Sequence, residues 1–131
     1  MLGSAKLAAI LGAALCLLAV AIGAFGAHAW SALLIENQRL DTFELANRYH
    51  FYHGLTLLVI AGFNQASAIH NKAFKNAKLS VLCLFSGTLI FSLSLYLLAL
   101  TNLSYLGAIT PIGGLLLLVG WALLLIQFIR S

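Results

Sequence analysis

Residues 79–129 decide the fold, and they read LSVLCLFSGTLIFSLSLYLLALTNLSYLGAITPIGGLLLLVGWALLLIQFI. These 51 residues contain no charged side chain, and a single proline, Pro111, interrupts them. A charged side chain at the centre of a bilayer costs about 2.5–3.5 kcal/mol, and about 20 apolar residues cross the hydrocarbon core as an α-helix. The stretch is therefore long enough for two membrane spans.

The positions of the other charges indicate two further spans. Only ten residues of the chain are charged, and none falls between Lys6 and Glu36 or between Arg48 and Lys72. A composition with 63% apolar residues excludes an ordinary soluble domain. We predict an all-α fold, a left-handed four-helix transmembrane bundle that forms one domain over residues 1–131. Its spans are placed at residues 7–27, 42–68, 79–101 and 111–129.

The connection between the first two spans carries helix signals of its own. Trp30, Leu33 and Leu40 recur at near-helical spacing, which predicts a short helix lying in the membrane interface. Asp41 is predicted to cap the second spanning helix, with Glu44 three residues later as in a capping box.

The basic residues predict the orientation. Four spans bring both termini and the middle connection to one face, and connections rich in Lys and Arg stay in the cytoplasm. The opposite face has only Arg39 and Arg48 as basic residues, together with all three acids. We therefore predict that both termini are cytoplasmic. The basic residues of that face are Lys6, Lys72, Lys75, Lys78 and Arg130. The first apolar run exceeds the 7–15 or so residues of a signal-peptide core, so we expect a retained helix.

Small residues recur at seven-residue intervals in each span, which predicts close helix packing. Lipid gives no hydrophobic push between helices, so close contacts need small side chains. A repeat of this length is typical of left-handed packing with crossings of about +20°. The predicted packing residues are Gly12, Gly23, Gly26, Gly54, Gly87, Pro111, Gly113, Gly114 and Gly120. The serines of the third span are interpreted as packing residues rather than a pore lining. Asn64 and Gln127 are predicted to meet near the inner face.

Three histidines are predicted to lie at one depth, the outer interface. His28 ends the first span, and His50 and His53 lie in the first membrane turns of the second. Imidazole groups bind transition metals, relay protons or anchor a helix at an interface. Structural anchoring, a proton or ligand site and a metal site therefore stay open, although no complete set of metal ligands is evident. The candidate site comprises His28, Glu44, Arg48, Tyr49, His50 and His53.

The sequence contains no nucleophile elbow, phosphate-binding loop or metalloprotease helix. We therefore expect that the protein is not an enzyme and uses no cofactor. Its basic residues are too few and too dispersed for nucleic acid. The expected partners are the lipid bilayer and, through helix contacts, further copies or other membrane proteins. The first functional hypothesis is a structural or envelope-integrity role. The alternatives are binding or transport of a small molecule, lipid or proton at the outer histidines, and a histidine metal site.

Several short motifs point to a known family. They are GAFGAH at 23–28, YHFYH at 49–53, SLSLY at 92–96, LAL at 98–100, TPIGG at 110–114 and GW at 120–121. Together they resemble the motifs of the domain-of-unknown-function 423 family. The resemblance implies a small four-helix protein of the bacterial inner membrane, with eukaryotic relatives, and it singles out His28 and His53. His50 stands where the family usually has glutamine, so a shared two-histidine pair is not implied. The activity of that family is uncharacterised, so the resemblance implies no reaction.

Overall fold

The structure, a computed structural model, describes residues 3–69 and 77–130. In these residues five α-helices and one 3₁₀ helix follow in chain order: α1 Ser4–Ala27, α2 Ser31–Glu36, α3 Leu40–Ile69, α4 Ala77–Thr101, the 3₁₀ helix Ser104–Ala108 and α5 Thr110–Arg130. This part of the chain holds no strand, so the predicted all-α class is confirmed. His70, Lys72 and Lys75 of the predicted middle connection lie outside the described residues.

Three segments among the described residues are long and apolar enough to cross a membrane: Ser4–Ala27, Ala77–Thr101 and Ser104–Arg130. The last of them joins the 3₁₀ helix to α5. The 30-residue helix α3 is longer than the 20 or so residues of a span, but it does not reach the same apolar character. Its first turns carry Asp41, Glu44 and Arg48, and polar residues follow along its length. The chain is thus a helical membrane protein with three membrane-capable helices.

The backbones of the long helices are not all in close contact with one another. Helix α3 packs against both α1 and α4, and α5 packs mainly against α4. Within the described ranges, no Cα atom of α5 comes within 8 Å of one in α3 or α1. Because α3 and α5 flank α4 without touching closely, a groove is left between them.

Two helix crossings are close because both contain glycine. A Cβ atom on Gly12 of α1 would lie 2.8 Å from the carbonyl oxygen of Gly54 on α3. A Cβ atom on Gly87 of α4 would lie 3.0 Å from the carbonyl oxygen of Gly113 on α5. These distances are shorter than carbon–oxygen van der Waals contact, so any larger side chain would push the helices apart. Gly23, Gly26 and Gly120 lie similarly against side chains of the neighbouring helix: Asn47, Phe43 and Leu84, respectively.

The predicted interfacial helix is present as α2, but a different leucine anchors it. Leu34 is fully buried, whereas Leu33, chosen from the sequence spacing, is 40% exposed. The side-chain amide of Asn37 donates to the carbonyl oxygens of Ala99 and Leu100 at 2.9 and 3.2 Å. These carbonyls belong to the last turn of α4, which lacks partners within its own helix. Two features therefore hold α2 in place: the burial of Leu34 and the hydrogen bonds from Asn37 to the end of α4.

The predicted N-cap of the second long helix was wrong by two residues. Helix α3 begins at Leu40, and the backbone N–H of Phe43 bonds to the carbonyl of Arg39 at 3.0 Å. Asp41 therefore lies in the first turn, where its charge still favours the helix N-terminus. The chain reverses just before this point at Gln38, whose φ of 56° lies in the left-handed region. That turn, which hydrophobic spacing does not reveal, shifts the start of the helix.

Hydroxyl groups on α4 bond mainly to helix backbones. Ser92 donates to the carbonyl of Ala46 on α3 at 3.0 Å, and Thr88 donates to the carbonyl of Leu84 at 2.6 Å. The Ser94 hydroxyl donates to the carbonyl of its own helix at Phe91. These groups act as helix-packing residues.

The predicted contact between Asn64 and Gln127 is not a hydrogen bond. Both residues are buried, but among the described residues neither amide atom of Asn64 has a hydrogen-bond partner. Asn64 is near the C-terminal end of α3 and Gln127 near that of α5, and these two helices have no Cα atoms within 8 Å of each other. The separation of the two backbones therefore accounts for the missing bond.

Candidate functional site

The three histidines predicted to form one cluster point in different directions. His28 follows the last residue of α1 and is exposed. His50 is 3% exposed and contacts Tyr96 on α4, whereas His53 is 6% exposed and contacts Trp121 on α5. Within residues 3–69 and 77–130, no group of three His, Cys, Asp or Glu side chains is placed to hold a metal ion.

His53 is fixed by hydrogen bonds at both ring nitrogens. Its Nδ1 lies 2.7 Å from the carbonyl oxygen of Tyr49, one turn earlier on α3, and its Nε2 lies 3.2 Å from the indole nitrogen of Trp121. A carbonyl only accepts and an indole N–H only donates. The proton must therefore sit on Nδ1, and Nε2 accepts from Trp121, so the ring is the neutral Nδ1–H tautomer. Neither nitrogen has a lone pair left for another ligand.

The His53–Trp121 bond crosses the groove between α3 and α5. The two rings meet edge to face, with centroids 6.2 Å apart. Tyr49 and His53 are four residues apart and so share the face of α3 that looks toward α5. Two long aromatic side chains thus reach across a gap that the helix backbones do not close.

Beside the N-terminal half of α3, the end predicted to face outward, the groove forms a cavity of about 760 Å³, the outer cavity. Its size lies in the range of about 300–1,000 Å³ that is typical of small-molecule sites. Tyr49, Tyr52, Phe91 and Trp121 supply aromatic walls, and α5 supplies leucines, Pro111 and Gly114. Leu115 and Leu118 are 63% and 69% exposed, which shows that the cavity opens to the side of the molecule.

Gly114 leaves the α5 side of the groove flat. A Cβ atom at this position would have its nearest neighbour, a ring carbon of Phe91, at 3.9 Å. Unlike Gly113 next to it, Gly114 is therefore not needed for a close helix crossing. A larger side chain here has room to enter the groove.

The groove continues toward the C-terminal end of α3, the end predicted to face the cytoplasm. A second cavity of about 300 Å³, the inner cavity, shares Thr56 and Trp121 with the first. It reaches Phe63 on α3 and Phe128 on α5, whose rings meet edge to face at 5.3 Å. From Tyr49 to Phe63 an α-helix rises about 21 Å, which exceeds half of the ~30 Å hydrocarbon core. The two cavities are therefore neighbours between the same two helices.

A second polar network ties α1, α3 and α4 together. The Asn47 amide donates to the carbonyl of Ala19 at 2.7 Å and to the Tyr96 hydroxyl at 3.0 Å. The Tyr96 hydroxyl lies 3.2 Å from Nδ1 of His50. Either the Tyr96 hydroxyl or Nδ1 of His50 can be the donor in this contact. The other ring nitrogen of His50, Nε2, is buried and has no hydrogen-bond partner among the described residues.

Glu44 and Arg48 belong to neither histidine environment. Both are exposed, and they line a smaller cleft of about 240 Å³ between the C-terminal end of α1 and the N-terminal end of α3. Gly23 and Gly26 form the α1 side of this cleft. Of the predicted site residues, the structure therefore brings only Tyr49 and His53 together in the large groove.

The sequence-based prediction of the site missed the aromatic residues that α4 and α5 contribute. Trp121 and Phe91 lie 68 and 38 residues from His53 along the chain, and their apolar neighbours resemble every other membrane-facing segment. The one usable signal was that Trp121 is one of only two tryptophans and the only one inside a predicted span.

These features define a class: a small helical membrane protein with an open groove between two of its helices. The chain belongs to the family described as "Protein of unknown function (DUF423)", whose model matches residues 22–114. A UPF0382 membrane protein of Staphylococcus aureus is 42% identical over 121 residues, covering 92% of this chain and 93% of that relative. The UPF0382 membrane protein YwdK of Bacillus subtilis is 36% identical over 125 residues, covering 95% and 98%. No solved structure matches the chain.

Proposed function

We propose that α3 crosses the membrane as a fourth span, that both termini are cytoplasmic and that the protein resides in the cell inner membrane. Helix α3 lies between two membrane-capable helices, α1 and α4, and is about 45 Å long at 1.5 Å per residue. Its buried polar groups at Asn47, His50 and His53 bond to neighbouring helices or to its own backbone, which reduces the cost of placing them in lipid. The distribution of basic residues supports the orientation.

We further propose that the protein is a non-catalytic binding protein for an apolar, lipid-like ligand that occupies the groove between α3 and α5. This proposal is based on the gap between α3 and α5. The His53–Trp121 hydrogen bond crosses this gap but does not fill it. Both nitrogens of His53 are engaged, and none of the described residues that line the cavity carries a carboxylate. The groove is therefore suited to holding a molecule and lacks an obvious acid or base to transform it.

Selectivity in such a groove must come from shape and aromatic contact. Inside a bilayer a ligand exchanges contacts with lipid tails for contacts with protein, so apolar burial alone provides no net drive. Rigid aromatic faces such as those of Tyr49 and Phe91 offer better packing than mobile lipid tails, and their rings already stack at 4.6 Å. A ligand with a flat or rigid part gains most from this surface.

A structural role through helix contacts is the competing hypothesis. It was motivated by the small-residue ladders, yet Gly12 faces Gly54 and Gly87 faces Gly113 within one chain. These glycines are used for internal packing and so give no separate indication of a partner. The groove, in contrast, is a large surface feature that contacts within the chain do not fill.

The test is to fill the groove. G114L places a leucine at the open position beside Phe91, and A122L adds the same side chain at an exposed position of the same helix. We expect native mass spectrometry of detergent-purified protein to show a bound lipid-like molecule on the wild type and on A122L but not on G114L. Equal ligand occupancy in G114L and the wild type, or an empty wild type, would contradict the proposal.

A further inference from the structure

Among the described residues, none that lines the outer cavity is charged. Its polar members are two tyrosines, a threonine, a histidine and a tryptophan. The nearest charged residues on the outer part of α3, Glu44 and Arg48, line the separate cleft toward α1. Phosphate groups are recognised by Arg and Lys through charge-assisted hydrogen bonds, so an anionic head group has no partner in this cavity. The head of the ligand should therefore be neutral.

The hydrogen-bond donors left for a ligand are the two phenol groups. His53 and Trp121 are bonded to each other, and the Thr56 hydroxyl donates to the carbonyl of Tyr52 at 2.8 Å. No hydrogen bond within the described residues engages the hydroxyl of Tyr49 or Tyr52, which are 37% and 57% exposed. Two neutral donors at one end of an apolar groove match a head group with carbonyl acceptors.

The aromatic surface favours a planar head group. Tyr49 and Phe91 stack at 4.6 Å with an interplanar angle of 26°, and Trp121 closes the cavity on the α5 side. Gly114 and Pro111 keep the opposite wall shallow. Flat rings gain offset-stacked or edge contacts on such walls that a flexible acyl chain does not make.

The second cavity leaves room for part of a long tail. It begins at Thr56 and Trp121, which line both cavities, and reaches the Phe63–Phe128 pair, seven residues or about 10 Å farther along α3. One leaflet contributes about 15 Å of hydrocarbon. The second cavity therefore holds the first part of the tail, and the rest of a long tail extends into the bilayer.

We propose that the groove binds an isoprenoid quinone, which has a neutral planar ring with carbonyl oxygens and a long apolar side chain. This identity of the ligand rests on the proposed function, the binding of a lipid-like molecule in the groove. The ring lies in the outer cavity beside Tyr49, Tyr52 and Phe91, where the two phenol hydroxyls donate to its carbonyls. The tail follows α5 inward past Trp121. The inference concerns binding alone and involves no transfer of electrons.

The chain offers its own fluorescent reporter. It has two tryptophans, Trp30 and Trp121, and Trp30 is stacked on Phe25 outside the groove. In W30F protein, Trp121 is therefore the sole tryptophan and lies in the groove wall. The experiment titrates W30F protein in nanodiscs with a short-chain isoprenoid benzoquinone, which quenches indole emission, and in parallel with a phospholipid brominated on its tails.

We expect quenching by the quinone to be saturable and quenching by the brominated phospholipid to rise only linearly with its membrane concentration. Adding G114L to W30F should weaken quinone binding at least tenfold, and adding A122L should leave it unchanged. Adding Y49F and Y52F together should weaken it about tenfold through the loss of two hydrogen bonds.

The other outcomes distinguish quinone binding from the more general binding of a lipid-like ligand in the groove. Saturable, G114L-sensitive quenching by brominated phospholipid, with no saturable quinone effect, overturns the quinone inference and keeps the groove as a lipid site. Quenching by both reagents that rises only linearly with their membrane concentration overturns the quinone inference and the proposed function together.

Discussion

The indole N–H of Trp121 donates a 3.2 Å hydrogen bond to Nε2 of His53 and so connects two helices that have no Cα atoms within 8 Å of each other. The bond lies where the outer and inner cavities of the groove meet, since Trp121 lines both. The His53–Trp121 pair therefore fixes the distance between α3 and α5 at the middle of the groove. The chemistry of that pair can be tested directly.

The first prediction concerns the tautomer of His53. Because its Nδ1 lies against a carbonyl and its Nε2 against an N–H donor, we expect the neutral Nδ1–H form, which is the minor tautomer of free histidine. Nitrogen-15 NMR of histidine-labelled protein should show one ring with a protonated Nδ1, and H53Q should remove that signal. A protonated Nε2 on His53 would contradict the observed bonding pattern.

The second prediction concerns the strength of the same bond. W121F removes the donor and leaves a buried acceptor, so we expect the free energy of unfolding to fall by roughly 1 kcal/mol, the scale of side-chain hydrogen bonds between membrane helices. Reversible unfolding in mixed micelles measures it. W30F is the matched control, because Trp30 makes aromatic contacts but its side chain forms no hydrogen bond with the described residues. Equal losses in W121F and W30F would show that only ring packing matters.

The helices of the fold could be predicted because their signal is local. Long runs without charge place α1, α4 and α5, and the observed bounds Ser4–Ala27, Ala77–Thr101 and Thr110–Arg130 enclose the predicted spans. Helix α3 is harder, because polar residues such as His50 and His53 lower its apolar character although they are buried and bond to neighbouring helices. Hydropathy cannot distinguish a polar residue that is satisfied inside a protein from one that faces water.

The site could not be predicted to the same extent. The position of a residue along a helix gives its depth in the membrane, but it does not tell which neighbouring helix the side chain faces. His50 and His53 are three residues apart and differ by about 60° around α3. That angle is enough to direct His50 to Tyr96 and His53 to Trp121. Which helix stands on each side depends on the order of packing, and no local pattern in the sequence encodes that order.

The third prediction concerns the crossing of α4 and α5. A Cβ atom on Gly113 would overlap the backbone of Phe91, so G113A must separate the helices, and we expect a loss of about 1–3 kcal/mol in the free energy of unfolding. G62A is the control, since a Cβ atom on Gly62 meets nothing within 4 Å. Alanine should stabilise that position by up to about 1 kcal/mol through helix propensity. A stable G113A would show that the crossing is looser than the structure places it.

The fourth prediction concerns the network around Asn47. Its amide bonds to Tyr96 and to the carbonyl of Ala19, so N47L and Y96F each remove one shared interaction. A double-mutant cycle on the free energy of unfolding should give a coupling of roughly 0.6 kcal/mol and not above about 1.7 kcal/mol, the range found for hydrogen bonds between membrane helices. Strict additivity of the two substitutions would indicate that Asn47 acts through Ala19 alone.

The fifth prediction distinguishes four spans from three. If α3 crosses the membrane, the 3₁₀ helix at Ser104 faces outward and the start of α4 at Lys78 faces the cytoplasm. A membrane-impermeant maleimide should then label S104C in intact cells and K78C only after permeabilisation. Both positions are exposed, and the parent chain gives the background from Cys16 and Cys83, which are half-buried in helices.

A three-span protein with the same cytoplasmic N-terminus gives the opposite pattern. If α3 stayed on the outer surface, α4 would enter the membrane from outside, so K78C would react in intact cells and S104C would be protected. That result would also mean that α3, one of the two walls of the His53–Trp121 groove, lies outside the bilayer. The groove would then not be surrounded by lipid. The topology experiment therefore decides whether a membrane-dissolved ligand can reach the groove from the side.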